Sequence, residues 1–225
     1  GPARERQVLC ELGRAGADAV GTLGLPPSGL YPAGGIARLR NLQDTCGCAA
    51  VLALGAGELG LKHAQDLLLG AHLLGMRLVL IDAGVFAQGG MVDDAASAEQ
   101  LVDLVTRLNR GRDLSGNRLH ETPCFTVGVR MPADGLGQLP RLLAAGASFV
   151  SLQPIYQPEL FRQAMTRIGE AVPVLAEVLV LPDAETAEAI DNELPALSVP
   201  ARLVELLRQD PQEDLRGVLR FLGHW

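Results

Sequence analysis

The sequence predicts an α/β protein, a (β/α)8 barrel of the TIM type in which seven strands are recognisable and the N-terminal one is the candidate for omission. Three observations predict it. Short apolar runs alternate with helix-period segments along all 225 residues. No two runs are joined by a hairpin turn, so successive strands should be parallel and linked by right-handed helical crossovers. Apolar residues make up 48% of the chain and aromatics 4%, a Leu, Ala, Val and Gly mix that suits strands buried on both faces. The length lies between a floor near 200 and the roughly 250 residues of a full barrel. One compact barrel domain over residues 1–225 is therefore expected.

The elements follow in order. Residues 4–15 read as a helix, and 18–24 as a short buried strand that ends in Gly and Pro. Residues 36–45 read as a helix and 49–54 as a strand with a Gly-rich turn after it. A helix over 61–74 closes at Gly75, and a strand over 77–82 ends at Asp82. A helix over 98–110 leads to a strand over 125–131, then a helix over 136–144 closing at Gly146. Residues 149–153 form a strand stopped by Pro154, and 158–168 a helix. A strand over 173–181, helices over 184–192 and 200–208, and a last strand over 217–222 complete the pattern. The polar, Gly-rich stretches 83–97 and 109–123 read as loops. An open dinucleotide-binding sheet is the competing architecture, but Gly55-Ala-Gly57 lacks the third glycine of its phosphate turn.

Charge and composition exclude several classes. The net charge is −7, with 26 acids against 19 bases, so a nucleic-acid partner is not expected. No apolar run approaches the roughly 20 residues of a membrane span. The N-terminal stretch lacks the charged-then-apolar pattern of a secretory signal. Gly1-Pro2 reads as a cloning remnant, which would place the natural start upstream. Cys46-Gly47-Cys48 is too closely spaced for a zinc site, and the four cysteines read as reduced thiols of a cytoplasmic protein. No Gly-x-Ser-x-Gly elbow and no metal-ligand spacing are present, so no metal is expected.

Four stretches carry a family resemblance. They are residues 66–80, residues 108–117, residues 144–156 with Gln153-Pro154 at the strand end, and residues 187–200. In this order they resemble methylenetetrahydrofolate reductases, and the ending 217–225 is similar to that family's eighth strand. The resemblance implies a folate-binding barrel of one-carbon metabolism, with a tetrahydrofolate derivative as substrate. Gln153 matches the family glutamine that hydrogen-bonds the pterin, a role its amide suits by offering both donor and acceptor. The family's flavin-contact positions are occupied here by Ala53, Gly55, Val85 and Leu142. The expectation is therefore purification without FAD, with hydride supplied directly by a nicotinamide or another subunit. The alternative from a different class is a non-catalytic barrel that serves as an interaction partner in a one-carbon enzyme complex. A partner subunit or homo-oligomer fits either reading.

Five residues are candidates for the site. Asp82 ends a strand and so faces the functional rim of a barrel. Glu177, set in an apolar strand, is a candidate proton donor, because a buried carboxyl needs a partner or a raised pKa. These two are the catalytic candidates. Gln153, Tyr156 and Arg130 are the substrate-binding ones: Arg130 for the carboxylates of a folate tail, Tyr156 for stacking on a ring. His63 and His72 share one helix and read as structural.

Overall fold

The computed structural model describes residues 19–21, 35–46, 49–83, 94–170, 172–177, 181, 183–193 and 197–209. The helix expected over 4–15, the strand over 217–222, Val85 and Cys48 lie outside them. The chain divides into two compact units. The first comprises Gly1–Arg130 with Gln138–Phe149, the second Met131–Gly137 with Val150–Trp225.

Four strands build the first unit: β1 (Ala19–Gly21), β2 (Ala49–Gly55), β3 (Leu78–Asp82) and β4 (Thr126–Met131), the last of which ends at the second unit's first residue. Each pairs in parallel with the next. Between them run α1 (Gly35–Cys46), α2 (Leu61–Leu73) and α3 (Ala98–Asn109), and α4 (Leu139–Ala145) follows β4. The strands are apolar on both faces, as a helix-covered parallel sheet requires. Val79, Leu80 and Ile81 are consecutive and all buried. Each such side chain contributes about 1.5–3 kcal/mol by leaving water.

The helices follow their sequence signals. Ser97 and Gln100 form a reciprocal capping box at the start of α3, satisfying two orphan amides. Leu101, Leu104, Val105 and Leu108 then bury one stripe of that helix. Gly75 takes φ +75 just after α2, a conformation costly for other residues. The helix expected over 136–144 is delayed. A 3-10 turn, Ala133–Gln138, comes first, because Gly135 and Gly137 are poor helix formers.

In the second unit β5 (Phe149–Leu152, all but its first residue) pairs in parallel with β6 (Val174–Ala176). The helices are α5 (Pro158–Ile168), α6 (Ala184–Glu193) and α7 (Ala201–Gln209). Their core is one apolar cluster of Tyr156, Leu181, Ala187, Val199, Leu203, Val204 and Leu207. The strand expected over 173–181 is described only to Ala176, so Glu177 follows the strand and does not sit inside it.

Candidate functional site

In the first unit the strand register assembles a charged group. Gly55, Asp82 and Arg130 are paired neighbours across β2, β3 and β4. The ladder continues past the strand ends: the Ala56 N–H donates to the Asp82 carbonyl and the Ala83 N–H to the Arg130 carbonyl, both at 2.9 Å. Arg130 Nη1 donates to Asp82 Oδ2 at 2.8 Å, with side chains only 9% and 19% exposed. In so dry a setting a charge-assisted bond fixes both groups.

Glu58 completes the set. It lies three residues beyond Gly55, half-buried, and its carboxyl folds back over that glycine, so that a Cβ added at Gly55 would land on it. Burial, and after it the charge of Asp82, pushes the Glu58 carboxyl above its ordinary value of 4.5. A carboxyl that keeps its proton beyond the usual range, at the C-terminal ends of parallel strands, is suited to general acid–base work.

The second unit holds a different polar set. Along β5 and the residue that follows it, Val150 and Leu152 alternate with Ser151 and Gln153, as strand periodicity dictates. Ser151 is 3% and Gln153 2% exposed. The Ser151 hydroxyl donates to Glu177 Oε1 at 2.7 Å, and the Glu177 N–H donates to the Leu152 carbonyl at 3.0 Å. The Gln153 N–H donates to the Met131 carbonyl, but its side-chain Nε2 and Oε1 have no partner among the described residues. Tyr156 packs in the apolar cluster, and burial pushes its hydroxyl up to about 12.

Of the expected residues, the structure brings Asp82 and Arg130 together in the first unit. Arg130, whose expected role was a folate tail, is buried against Asp82. In the second unit Glu177 is bonded to Ser151, beside Gln153. Sequence reading missed Glu58 and Ser151. The signal for Glu58 was a lone acid in a Gly-rich strand-to-helix turn, where only the glycines had drawn notice. The signal for Ser151 was its two-residue spacing from Gln153. Among the described residues no three of His, Cys, Asp or Glu converge to hold a metal ion.

No family model and no curated protein matches the sequence. Solved structures do match. A 2,3-dimethylmalate lyase, described as a PEP mutase/isocitrate lyase superfamily member, aligns at 14% identity and TM-score 0.57, covering 97% of this chain and 74% of its own. A phosphoenolpyruvate phosphomutase from Streptomyces platensis subsp. rosaceus aligns at 16% identity and TM-score 0.51, covering 98% and 88%. An oxaloacetate acetylhydrolase with its product oxalate aligns at 16% identity and TM-score 0.50, covering 82% and 69%. At such identities the likeness shows the fold: a parallel-strand α/β fold of the (β/α)8 barrel type.

These matches correct the family reading. The similar structures are described as a lyase, a phosphomutase and an acetylhydrolase, and not as methylenetetrahydrofolate reductases. The folate-binding function, its oxidoreductase and one-carbon setting, and the one-carbon complex subunit offered as alternative fall with it. So do the tetrahydrofolate substrate, the question of FAD and the nicotinamide hydride source: the matched enzymes are described by malate, phosphoenolpyruvate and oxaloacetate chemistry. The physical reason lies in the stretches that carried the resemblance. Residues 66–80 and 144–153 each run helix, glycine, buried strand, a pattern any barrel needs for packing. Leu142, placed at a flavin position, is a core residue at 2% exposure. No described helix is long and apolar enough to cross a membrane.

Proposed function

We propose that this chain is a barrel enzyme of the lyase or hydrolase type, acting by acid–base chemistry on a small oxygen-rich organic acid. The observation that supports it is the Glu58 carboxyl, folded over Gly55 at the strand ends beside an Asp82 that Arg130 holds in place. The matched lyase, mutase and acetylhydrolase structures favour the same class of chemistry.

Cleaving a carbon–carbon bond next to a hydroxyl needs a proton taken from oxygen and one given to carbon. Ionised Glu58 takes the hydroxyl proton as the oxygen becomes a carbonyl and the carbon–carbon bond breaks. The bonding pair stays on the departing carbon, and protonated Glu58 returns the proton there. Asp82 disfavours the ionised form of Glu58 and so strengthens it as a base, while Arg130 fixes Asp82. Tyr156 is a packing residue in this reading. The reading needs a small-molecule ligand and asks nothing of a second subunit.

The test is turnover of a 2,3-dialkylmalate and of oxaloacetate, whose hydrate carries the hydroxyl that the step needs, followed by NMR of the products. Glu58→Gln should lower kcat by about 10²–10⁴-fold, with KM little changed. Failure of the wild-type protein to convert any of these acids, or a Glu58→Gln variant at full rate, would overturn the proposal.

A further inference from the structure

The loop between α3 and β4 takes no part in the proposed chemistry, and its charge runs against that of the chain. Residues 107–118 hold four arginines and one acid, in a protein with 26 acids against 19 bases. Two of the four have a local account. Arg107 bonds Asp103 at 2.7 Å, and Arg110 sits at the C-terminal end of α3, where a cation suits the helix dipole. Arg112 and Arg118 have no such account.

The backbone sets these two directly opposite each other in an antiparallel bridge. The Asp113 N–H donates to the Asn117 carbonyl at 3.0 Å, and the Leu119 N–H to the Gly111 carbonyl at 2.9 Å. Those bonds flank the bridge, so Arg112 and Arg118 are its non-hydrogen-bonded pair, the arrangement that brings opposed side chains closest. Their Cβ atoms are then about 4.5–5.5 Å apart, on one face. Like charges so placed repel. Among the described residues no acid answers them. Asp113, the acid of the turn, is turned to Asn117: Oδ1 accepts its N–H at 2.7 Å and Oδ2 its Nδ2 at 2.9 Å. Glu121, the next acid along, lies 3.8 Å from His72.

The pair is held in place. Arg112 Nη1 donates to the Gly116 carbonyl at 2.9 Å across the turn. The Leu114 N–H donates to Gln65 Oε1 of α2 at 2.7 Å. At the base, the Asn109 side chain donates to the Phe125 carbonyl and accepts the Phe125 N–H, both at 2.8 Å. Two exposed guanidinium groups are thus presented from a fixed frame. A guanidinium has five donors, so Arg112 keeps most of its own after the bond to Gly116.

A carboxylate brings one charge and two oxygens, and leaves one of the two cations unanswered. A phosphomonoester brings a charge of about −1.5 to −2 and three terminal oxygens. That suffices for a bond from each guanidinium and cancels the repulsion between them. We propose that Arg112 and Arg118 form a binding site for the phosphomonoester dianion of a small molecule. The site shares no residue with the group of Glu58, Asp82 and Arg130.

The test uses the full chain labelled with nitrogen-15, with methyl phosphate as probe at constant ionic strength. Methyl sulfate, of the same shape and one charge fewer, is the control. Methyl phosphate should shift the Nε–H resonances of Arg112 and Arg118 together and saturably. Methyl sulfate should bind several-fold more weakly. Arg118→Gln, read at Arg112, should weaken methyl phosphate about three- to tenfold, as expected for one exposed charged contact. Arg110→Gln, which removes the same charge nearby, should change little. Arginine resonances that do not move with methyl phosphate would overturn the site, and they are read on the wild-type protein, whatever the variants do. Methyl sulfate binding as tightly as methyl phosphate would overturn the dianion class. An equal loss in Arg110→Gln and Arg118→Gln would show attraction to a diffuse charge and overturn the paired site.

Discussion

Two buried polar groups, one in each unit, are treated in opposite ways. In the first, charge is buried and answered within the chain: Arg130 bonds Asp82 at 2.8 Å across neighbouring strands. In the second, a neutral amide is buried and left unanswered at Gln153. A buried charge cannot wait for a ligand, because leaving it unpaired costs too much. A buried amide can, because its desolvation cost is modest. The difference separates a charged group that is paired within the chain from a neutral one that is buried without a partner among the described residues.

The sharpest way to break this contrast is to remove one member from each unit. Arg130→Met leaves Asp82 without its main cation and should destabilise the protein by about 3–5 kcal/mol. Adding Asp82→Asn should restore part of that loss, because the uncompensated charge is then gone. Gln153→Leu should act with the other sign. It replaces an unpaired amide by an apolar group of similar size and should stabilise by about 1–3 kcal/mol. Urea unfolding of these variants beside the wild type reads both. Two losses of equal size would show that Gln153 has its partner already.

A second variant asks whether the first group depends on shape or only on charge. In Gly55→Ala the new Cβ occupies the place of the Glu58 carboxyl. That carboxyl is the end of a flexible side chain, so it should swing away at little cost in stability. Turnover should nevertheless fall by about 10²-fold, since a displaced base loses most of its effect. An active Gly55→Ala variant would show that Glu58 works from elsewhere.

Much of the fold was legible in the sequence, because it is written in period and punctuation. The helix read over 158–168 is found at Pro158–Ile168, with Pro158 opening it and Gly169 after it. β2 and β3 are found within a residue of their expected limits. The site was only half legible. Asp82 could be placed because it ends a strand, but its bond to Arg130 depends on the register between β3 and β4, which a linear pattern does not carry. Glu58 was missed because loop acids are common, and only the strand ends reveal that this one is folded over a glycine beside a second carboxylate. The family reading failed where helix-glycine-strand segments were allowed to speak for a pocket. Packing repeats across unrelated barrels, and ligand chemistry does not.

The smallest effect expected, and the finest probe of the contrast, is the pH dependence of stability. Glu58 is raised above 4.5 in the folded state, so between 4.5 and its folded value the folded chain holds more proton than the unfolded one. Its contribution is complete below 4.5 and is lost as pH rises through the raised value. Two groups of the second unit frame this differently. Asp183 accepts the Thr186 N–H at the start of α6 and is lowered below 3.8, so its contribution is present above 3.8 and lost as pH falls. Tyr156, raised from 10.0 to about 12, loses its contribution only as pH climbs through that alkaline range. Urea midpoints compared from about pH 2 to about pH 7 should therefore show Glu58→Gln gaining on the wild type as pH rises above 4.5. Over the acid end, Asp183→Asn should lose its disadvantage as pH falls. Partial exposure keeps the Glu58 effect small, but its sign is fixed by the direction of the shift. A gap between Glu58→Gln and wild type that does not change with pH would mean that Glu58 is solvated like any surface acid, and the first unit would then hold a paired Asp82 and Arg130 with no acid–base group beside them.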